Sequence, residues 1–443
     1  MANKLNSSLI DNLLSDAVGQ IYIGYSGGMD SHVLLHLAAF SQYRDKVTAV
    51  HVHHGLQAEA DDWARHCYKV ATEAGVHFKE IKVDARPEAG QSPEEAAREV
   101  RYGAFRTLLH QSDVLLVAQH RDDQLETVLL QLCRGAGVEG LAAMPQSMSL
   151  GDGVLLRPFL DISLQTLQHY AKQHQLRWIE DPSNSSLDFD RNFLRHQVIP
   201  ILKKRWPGLD KTVARTARHC GSVSGWIKQQ TEQNLAKIIQ PDDSIDLQLF
   251  QQFSTEEQVQ LIRRWFQAVG LKYPSTAVVE AVLTEMIAAR SDANPLICTQ
   301  NHQIRRYQNR LFLIPDSRGN SRSEYVWPDE SLKLTLENGD CLILLKDTQG
   351  IPVAKWQAAS VTVRFRQGGE KIALPGRKGH HSLKKLFQEW RVPPWLRDSV
   401  PLLYLDGQLA AVAGFCISSE VYCESGEDCY QLEVREFSRK KSR

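Results

Sequence analysis

Short apolar runs alternate with amphipathic stretches along the first 200 residues. The runs predict strands over residues 20–24, 47–52, 78–83 and 114–118. Apolar positions three or four residues apart predict helices over residues 30–40, 61–74, 92–110 and 122–133. This alternation is typical of a doubly wound, parallel α/β sheet of the Rossmann-like kind. Residues 155–160 and 176–179 are predicted as further strand and edge elements, and an amphipathic helix is predicted before the first strand.

The pattern changes after residue 200. Residues 208–240 predict one long helix or a helix pair, residues 246–290 predict helices, and residues 297–314 predict a hairpin. A polar, Gly/Ser-rich linker follows, and from residue 332 short strands dominate, interrupted by one helix near residues 382–390. We therefore expect a catalytic domain, a helical linker and two smaller C-terminal domains, over residues 1–215, 216–245, 246–316 and 330–438.

Composition narrows the class of protein. Hydrophobic residues make up 42% and charged residues 23% of the 443 positions, which excludes a wholly disordered chain. No apolar run reaches the roughly 18 residues of a membrane span, and two aspartates interrupt the apolar N-terminal pattern. We therefore expect a cytoplasmic protein without membrane association. Eight scattered cysteines, with no Cys-x-x-Cys pair, argue against a disulfide framework and against thiolate-bound zinc or iron–sulfur clusters.

A glycine pair follows the first predicted strand where a helix begins. Adjacent glycines let the backbone turn sharply, and a helix N-terminus adds N–H groups and a positive dipole end. With two hydroxyl groups these features predict a phosphate-binding loop formed by Ser26, Gly27, Gly28, Met29, Asp30 and Ser31. A carboxylate repels phosphate unless a hard cation lies between them, so Asp30 is predicted to hold Mg²⁺. The alternative is a turn whose polar residues only cap the helix.

Polar residues also follow two other strands at their carboxyl ends, where open α/β sheets bind ligands. Carboxylates three or four residues apart share a helix face and can hold Mg²⁺ or the ammonium group of a substrate. The predicted catalytic group comprises Asp30, His120, Asp122, Asp123 and Glu126. The alternative is a helix cap with a solvated acidic face. His51 and His53, after the second strand, are predicted to line the nucleotide site, with a turn of partly buried histidines as the alternative.

Two stretches concentrate positive charge in a chain whose net charge is zero. Residues 195–219 hold seven Lys/Arg against one Asp, and residues 364–397 hold nine against two Glu, with aromatic residues between them. Basic side chains neutralise phosphates and aromatic faces stack bases, which together predict RNA contacts. The predicted contacts are Arg191, Arg195, Lys203, Arg205, Lys384, Lys385 and Arg397. Local solvation, with the aromatic residues in the core, is the alternative.

The glycine loop resembles the PP-loop of the N-type ATP pyrophosphatases, which cleave ATP between its α and β phosphates. Further motifs follow in the order found in the bacterial tRNA(Ile)-lysidine synthetases: residues 51–56, 117–127, 134–137, 157–158, 181–184, 191–195 and 392–397. The chain thus resembles that family over nearly its full length. Many members of the superfamily have His where this chain has Gln119, which shifts the implied imidazole role to His120.

The resemblance implies a ligase that uses ATP, Mg²⁺, free L-lysine and a tRNA(Ile) with anticodon CAU. Cytosine O2 attacks the α-phosphate and releases pyrophosphate, and the lysine ε-amine then displaces AMP from C2. The amine must lose a proton first, and Asp30, Asp122 and Asp123 all remain open as the base. A PP-loop tRNA thiolase and a non-catalytic ATP-binding, tRNA-binding protein are the alternatives. A monomer and a homodimer are both left open.

Overall fold

The structure is a computed structural model that describes residues 5–14, 19–55, 60–86, 93–182, 186–290, 295–299, 301–315, 324–328, 331–337, 339–424 and 427–435. The chain forms two compact units, Met1–Gln229 and Gln230–Arg443. The finer four-part division expected from the sequence stays a prediction. Among the described residues, no helix has both the length and the apolar character that crossing a membrane requires.

A six-stranded sheet forms the centre of the first unit. Its strands are β1 (Ile21–Gly24), β2 (Val47–His53), β3 (His77–Lys82), β4 (Val114–Leu116), β5 (Ser147–Leu150) and β6 (Gly153–Leu156). Their order is β3-β2-β1-β4-β6-β5, and every neighbouring pair is parallel except β5 with β6. The predicted doubly wound parallel sheet is therefore confirmed, with one antiparallel strand at its edge.

Helices connect these strands and continue beyond them. They are α1 (Ser8–Leu13), α2 (Met29–Ala39), α3 (Ala60–Glu73), α4 (Pro93–Leu108), α5 (Arg121–Cys133), α6 (Val138–Leu141), α7 (Leu164–Gln173), α8 (Asp190–Phe193), α9 (Ile199–Arg205) and α10 (Leu209–Ile238). A π-helical turn, Leu194–Val198, joins α8 to α9. The four helices predicted between residues 30 and 133 are confirmed. Of the two alternatives for residues 208–240, the structure has the single long helix.

The predicted strand over residues 176–179 is wrong. The backbone N–H of Ile179 donates to the carbonyl oxygen of Gly27 at 2.9 Å, so this segment runs as an irregular chain against the glycine loop. The strand predicted over 155–160 ends at Leu156, and its antiparallel partner β5 was not predicted. Three of the four β5 residues are exposed, which leaves little of the apolar alternation that marks a half-buried strand.

Helix α2 is buried over most of its length because it packs between the sheet and α7. Val33, Leu34 and Leu37 are at most 1% exposed and share one core with strand residues such as Ile21 and Ile23. Burying one such side chain contributes about 1.5–3 kcal/mol. This packing fixes the start of α2, and therefore the glycine loop, against the carboxyl end of β1.

The second unit begins within α10 and contains mainly antiparallel sheets. Its first sheet has the order β7-β10-β9-β8, from β7 (Ile245–Asp246), β8 (Leu296–Cys298), β9 (His302–Tyr307) and β10 (Arg310–Pro315). Helices α11 (Leu247–Phe250), α12 (Thr255–Ala268) and α13 (Thr276–Ala281) accompany it. The predicted hairpin is β9–β10, and the helices predicted over residues 246–290 are confirmed as three short ones. The predicted linker falls almost wholly on residues 316–323, outside the described part.

Short strands and two helices make up the rest of this unit. One sheet has β11 (Tyr325–Val326), β15 (Val361–Arg364), β18 (Leu402–Leu405), β19 (Gln408–Val412) and β20 (Cys416–Ile417). Another has β12 (Lys333–Thr335), β13 (Cys341–Asp347), β21 (Cys429–Arg435) and β14 (Ile351–Pro352). A hairpin of β16 (Lys371–Ala373) and β17 (His380–Ser382) leads into α15 (Leu383–Glu389), while α14 (Val353–Ala358) follows β14. The helix predicted near residues 382–390 is confirmed as α15.

Candidate active site

A cavity of about 1000 Å³ opens in the first unit at the carboxyl ends of β1, β2 and β4. The glycine loop forms one wall of the cavity. The residues predicted for the site that line it are Ser26, Gly28, Met29, Asp30, Ser31, His51, His53, Asp123 and Arg195. The structure therefore brings segments that are up to 170 positions apart in the sequence to one sheet edge, as expected for an open α/β fold.

The glycine loop is ordered by its own hydrogen bonds. The Ser31 hydroxyl donates to the Gly28 carbonyl at 2.9 Å and lies 3.1 Å from the Ser26 hydroxyl. Gly27 has a φ of +85°, and a Cβ atom there would lie 3.0 Å from both Cys67 Sγ and Ile179 Cδ1. Both the backbone conformation and the close packing therefore require glycine at this position.

Asp30 and His120 meet at the mouth of this loop. The Asp30 Oδ2 atom lies 3.6 Å from Nε2 of His120, whose side chain is buried. The Asp30 Oδ1 atom is also buried and has no hydrogen-bond partner among the described residues. Although burial disfavours a charged imidazole, the Asp30 carboxylate and the nearby Asp123 raise the pKa of His120 above its ordinary value.

The unpartnered Asp30 oxygen fits a hard cation. Mg²⁺ commonly binds one or two protein carboxylates and completes its shell with substrate phosphates and water. The described residues contain no cluster of three or more His, Cys, Asp or Glu side chains that would enclose a metal without such help. Asp30, placed at the phosphate-binding loop, therefore suits Mg²⁺ that arrives with a nucleotide.

Asp123 and Glu126 lie on α5 but differ in their surroundings. Asp123 lines the cavity and forms a capping box with His120, accepting the His120 backbone N–H at 2.9 Å. Glu126 is 2% exposed and accepts hydrogen bonds from Arg191 at 3.0 Å and from Arg195 at 2.6 and 2.8 Å. Arg195 also reaches Asp123 at 3.3 Å. Glu126 thus anchors two arginines beneath the cavity wall.

Asp122 also points away from the cavity. Its Oδ2 atom accepts the Leu164 backbone N–H at 2.9 Å, and its Oδ1 atom accepts from the Lys203 ammonium group. Burial opposes ionisation here, but these two partners hold the pKa of Asp122 below its usual range. Of the three carboxylates predicted on α5, only Asp123 faces the space where a substrate can lie.

The histidines of β2 form part of the cavity wall. His51 is buried, and its Nδ1 atom lies 3.0 Å from the Tyr25 carbonyl oxygen. Burial lowers the pKa of His51, so the ring is held neutral. The Nε2 atom of His53 lies 3.1 Å from the Asp61 carboxylate. Both histidines lie where they were predicted, although residue 56 and residues 183–184 of the family-like motifs fall outside the described part.

The predicted RNA contacts separate into inward and outward side chains. Arg191, Arg195 and Lys203 point inward and pair with carboxylates of α5. Arg205 is exposed and lies over the exposed Trp206 ring, 5.9 Å from its centroid. In the second unit Lys384 and Lys385 are exposed on α15 and form no ion pair with a described residue.

Arg397 and Trp395 pack within the second unit. The Arg397 Nε–H donates to the Val392 carbonyl at 2.9 Å. The Trp395 ring lies 5.2 Å from Phe312 and 6.0 Å from Tyr307, in edge-to-face geometry. These contacts occupy Arg397, which was predicted to contact RNA, and one of the aromatic residues within the basic stretch 364–397.

The sequence interpretation missed one wall of the cavity. Trp178, Ile179, Glu180, Asp181 and Pro182 line it, although the first two of these residues were assigned to an edge strand. The signal was present in the polar Glu-Asp-Pro sequence that follows the apolar residues, because such a sequence favours a loop over a continuing strand.

Models of known protein families match three separate parts of the chain. A family model described as a PP-loop domain matches residues 1–202, which contain the whole cavity lining. A TilS substrate binding domain matches residues 245–312, and a TilS substrate C-terminal domain matches residues 361–434.

Full-length relatives decide the family. A tRNA(Ile)-lysidine synthase of Methylococcus capsulatus is 41% identical over 400 residues, 88% of this chain and 90% of that protein. One from Coxiella burnetii is 38% identical over 416 residues, 93% of this chain and 92% of that protein. The chain belongs to the tRNA(Ile)-lysidine synthase family. Lysidine synthases are ligases that form a carbon–nitrogen bond, and the predicted enzyme class is confirmed.

A solved structure is weakly similar to part of this lysidine synthase family member. The U34-tRNA thiolase NcsA of Methanococcus maripaludis, with its [4Fe-4S] cluster, shares 16% identity at a TM-score of 0.41, over 48% of this chain and 76% of that one. The full-length relatives favour the lysidine synthase assignment over the thiolase and non-catalytic alternatives.

Proposed function

We propose that this protein joins L-lysine to C2 of the cytidine at the first anticodon position of a tRNA(Ile) with anticodon CAU, and converts ATP to AMP and pyrophosphate. One observation carries the proposal. The ordered glycine loop, Asp30 and Asp123 all face a single cavity that is large enough for a nucleotide and a second substrate. Membership of the lysidine synthase family supports the choice of substrates.

The glycine loop is suited to the first step. Cytosine O2 attacks the α-phosphorus of ATP, and the bond to the pyrophosphate oxygen breaks. The backbone N–H groups at the start of α2 and the hydroxyls of Ser26 and Ser31 would stabilise the leaving pyrophosphate. Asp30 would hold Mg²⁺, which supplies positive charge to the phosphate oxygens when bound.

The carboxylates facing the cavity are suited to the second step. The lysine ε-amine attacks C2 and AMP leaves with the former O2 atom. An amine of ordinary pKa, about 10.4, is protonated at neutral pH and must lose a proton first. Asp122 pairs with Lys203 and does not line the cavity, whereas Asp123 and Asp30 do, so these two can orient the ammonium and accept its proton. We favour Asp123, because Asp30 has the role at the phosphates.

The outward basic side chains are suited to the RNA. Lys204 and Arg205 are exposed at the end of α9, as are Lys384 and Lys385 on α15, and none of the four forms an ion pair with a described residue. Ammonium and guanidinium groups of this kind bind backbone phosphates without reading sequence. The four-part domain division and a homodimer remain compatible with this proposal.

The test is lysine incorporation. Full-length protein is incubated with labelled lysine, ATP, Mg²⁺ and a tRNA(Ile) transcript with anticodon CAU, and a transcript with anticodon GAU serves as the control. We expect label in the first RNA only, with one pyrophosphate released per lysine. Absence of label in the CAU transcript, with the protein folded and binding ATP, would reject the proposal.

A matched pair of variants locates the phosphate chemistry. Asp30→Asn is expected to abolish pyrophosphate release and leave tRNA affinity near that of the unmodified protein, because Asp30 faces the nucleotide. Asp45→Asn, at an exposed position outside the cavity, is expected to change neither. Normal turnover by Asp30→Asn would show that the carboxylate is dispensable.

A further inference from the structure

A buried arginine, Arg157, directly follows β6 and contacts Gln119, a residue that lines the cavity. Only 2% of the Arg157 surface is exposed. Its Nε–H donates to Gln119 Oε1 at 3.0 Å, and its Nη1–H donates to the Pro145 carbonyl at 2.8 Å. The Nη2 group lies 3.7 Å from the Met148 sulfur, and the guanidinium also interacts with the Tyr102 hydroxyl.

Arg157 has no carboxylate partner among the described residues. Its hydrogen bonds go to an amide oxygen, a carbonyl oxygen and a thioether. Burial lowers the pKa of this guanidinium and the positive charge of Arg98 adds to the effect, whereas the Tyr102 hydroxyl opposes it. A guanidinium nevertheless stays charged in a protein, so a positive charge is held here without an opposite one. A purely structural role would be met at lower cost by an apolar side chain.

The hydrogen bond from Arg157 decides how Gln119 is oriented. A guanidinium has only donors, so the atom of Gln119 that faces it must be the carboxamide oxygen. The opposite end of the carboxamide is then the NH₂ group. Gln119 lines the cavity, and its NH₂ group has no hydrogen-bond partner among the described residues. Arg157 therefore holds a donor ready for a ligand.

We propose that Arg157 is a positioning residue that orients the Gln119 carboxamide so that its NH₂ group donates to a phosphoryl oxygen of bound ATP. This inference rests on the proposed function and adds a residue pair to its first step. The chemistry of the wall favours an anionic acceptor: the uncompensated charge of Arg157 lies directly behind Gln119, and Arg101 lines the same cavity. An acceptor on the cytosine ring is the competing assignment.

Three variants of Gln119 test the donor. Gln119→Glu keeps the shape and the contact with Arg157 but replaces the NH₂ group by an acceptor oxygen. Removal of one such donor costs about 10²–10³ in rate, so the pyrophosphate burst measured without lysine should slow by at least 100-fold. Gln119→His keeps an N–H donor at this position, so its burst rate should be within tenfold of that of the unmodified protein. Gln119→Met has no donor, so its burst should be as slow as that of Gln119→Glu.

A matched control lies on α5. The Gln124 carboxamide is buried, but the Met144 backbone occupies both of its ends at 2.9 and 3.0 Å. Gln124→Met should therefore lower the Tm and leave the burst rate per folded molecule unchanged. A normal burst rate in Gln119→Glu would overturn the donor assignment.

A double-mutant cycle tests the positioning role. If Arg157 acts through Gln119, Arg157→Met should slow the burst in the unmodified background and have little effect in the Gln119→Met background, because the oriented donor is already gone. Arg157→Lys keeps the charge but not the planar fork and should recover part of the rate. Additive effects of the two Met substitutions would overturn the positioning role.

Kinetic separation decides between the two acceptors. The variants should raise KM for ATP or slow the burst, and lysine transfer from a preformed adenylated tRNA should proceed at the normal rate. A defect confined to lysine transfer, or to the KM for tRNA, would overturn the phosphoryl assignment in favour of the cytosine. If the unmodified protein incorporates no lysine, the proposed function itself fails, whatever the variants do.

Discussion

Two segments that both concentrate positive charge in the sequence contain basic side chains with opposite surroundings in the structure. In the first unit Arg191, Arg195 and Lys203 point inward and pair with Glu126, Asp123 and Asp122 of α5. In the second unit Lys384 and Lys385 lie exposed on α15 without an ion pair to a described residue. At these positions, positive charge in the sequence forms an internal framework in the first unit and an exposed surface in the second.

The difference has an energetic basis. Removing one partner of a buried charge pair leaves the other charge desolvated, which costs about 3–5 kcal/mol. Truncating an exposed lysine changes the stability of the free protein very little. Such a lysine contributes free energy only when it binds the phosphates of a nucleic acid. The inward group should thus govern the stability of the catalytic unit, and the outward groups should govern affinity for RNA.

The largest expected effect is at Glu126. Glu126→Gln removes the charge that two arginines share, so we expect the first unit to lose about 3 kcal/mol of unfolding free energy. Glu73→Gln is the matched control: among the described residues Glu73 has one ion pair, an exposed one with Lys69 at 3.9 Å, so this substitution should cost less than about 0.5 kcal/mol. Chemical unfolding followed by a probe in the first unit measures both. Equal stability of the two variants would contradict an internal framework.

Neighbouring lysines on α9 give the sharpest comparison. Lys203→Met leaves the mostly buried Asp122 carboxylate without its cation, so we expect a loss of about 1–3 kcal/mol in stability and an unchanged tRNA affinity. Lys204→Met, at the adjacent exposed position, should leave stability unchanged and weaken tRNA binding. Thermal unfolding measures the stability of both variants, and a tRNA titration measures their affinity for RNA. Weaker tRNA binding by Lys203→Met together with lower stability of Lys204→Met would show that the two lysines have the opposite roles.

The outward pair on α15 is tested by salt. Each lost phosphate contact flattens the slope of log affinity against log salt by about 0.7–0.9. The Lys384→Ala, Lys385→Ala double variant should therefore reduce the slope by about 1.4–1.8 at most, with ATP binding unchanged. If slope and affinity both match those of the unmodified protein, these lysines do not touch RNA.

The smallest expected effect is the pH dependence at His120. Its raised pKa means that the folded protein holds the proton more tightly than the unfolded chain does. The resulting stabilisation is complete below the unfolded pKa of about 6.5 and is lost as the pH rises through the folded pKa. The Tm difference between the unmodified protein and His120→Gln should shrink as the pH is raised from 5.5 to 8.5. A constant difference would show that the ring does not change charge on folding.

Local sequence signals predicted much of the fold. The glycine pair after an apolar strand identified the phosphate-binding loop, because Gly27 has the positive φ and close contacts that only glycine tolerates. Helices α2, α3, α4 and α5 were predicted from their apolar period, and the ordered motifs led to the right family. The apolar periods and the glycine pair are visible within one or two turns of chain, and the order of the motifs can be read along it, so a sequence displays all of them directly.

Direction of side chains could not be predicted in the same way. Asp122, Asp123 and Glu126 share a helix start and had equivalent predicted roles, yet only Asp123 faces the cavity. Their directions depend on Lys203, Leu164 and the two arginines, which lie 40 to 80 positions away. Residues 176–179 were assigned to a strand because their apolar character was visible, but the hydrogen bond of Ile179 to Gly27 was not.

The chain's local patterns thus specify its elements, its phosphate loop and its family. Which charges face a partner inside the protein and which face outward depends on contacts between distant segments. The physical reason is that an isolated Lys, Arg, Asp or Glu gains similar hydration in any exposed segment, so sequence cannot rank these positions. Desolvation separates them, and desolvation exists only once α5, α9 and the sheet edge have packed together.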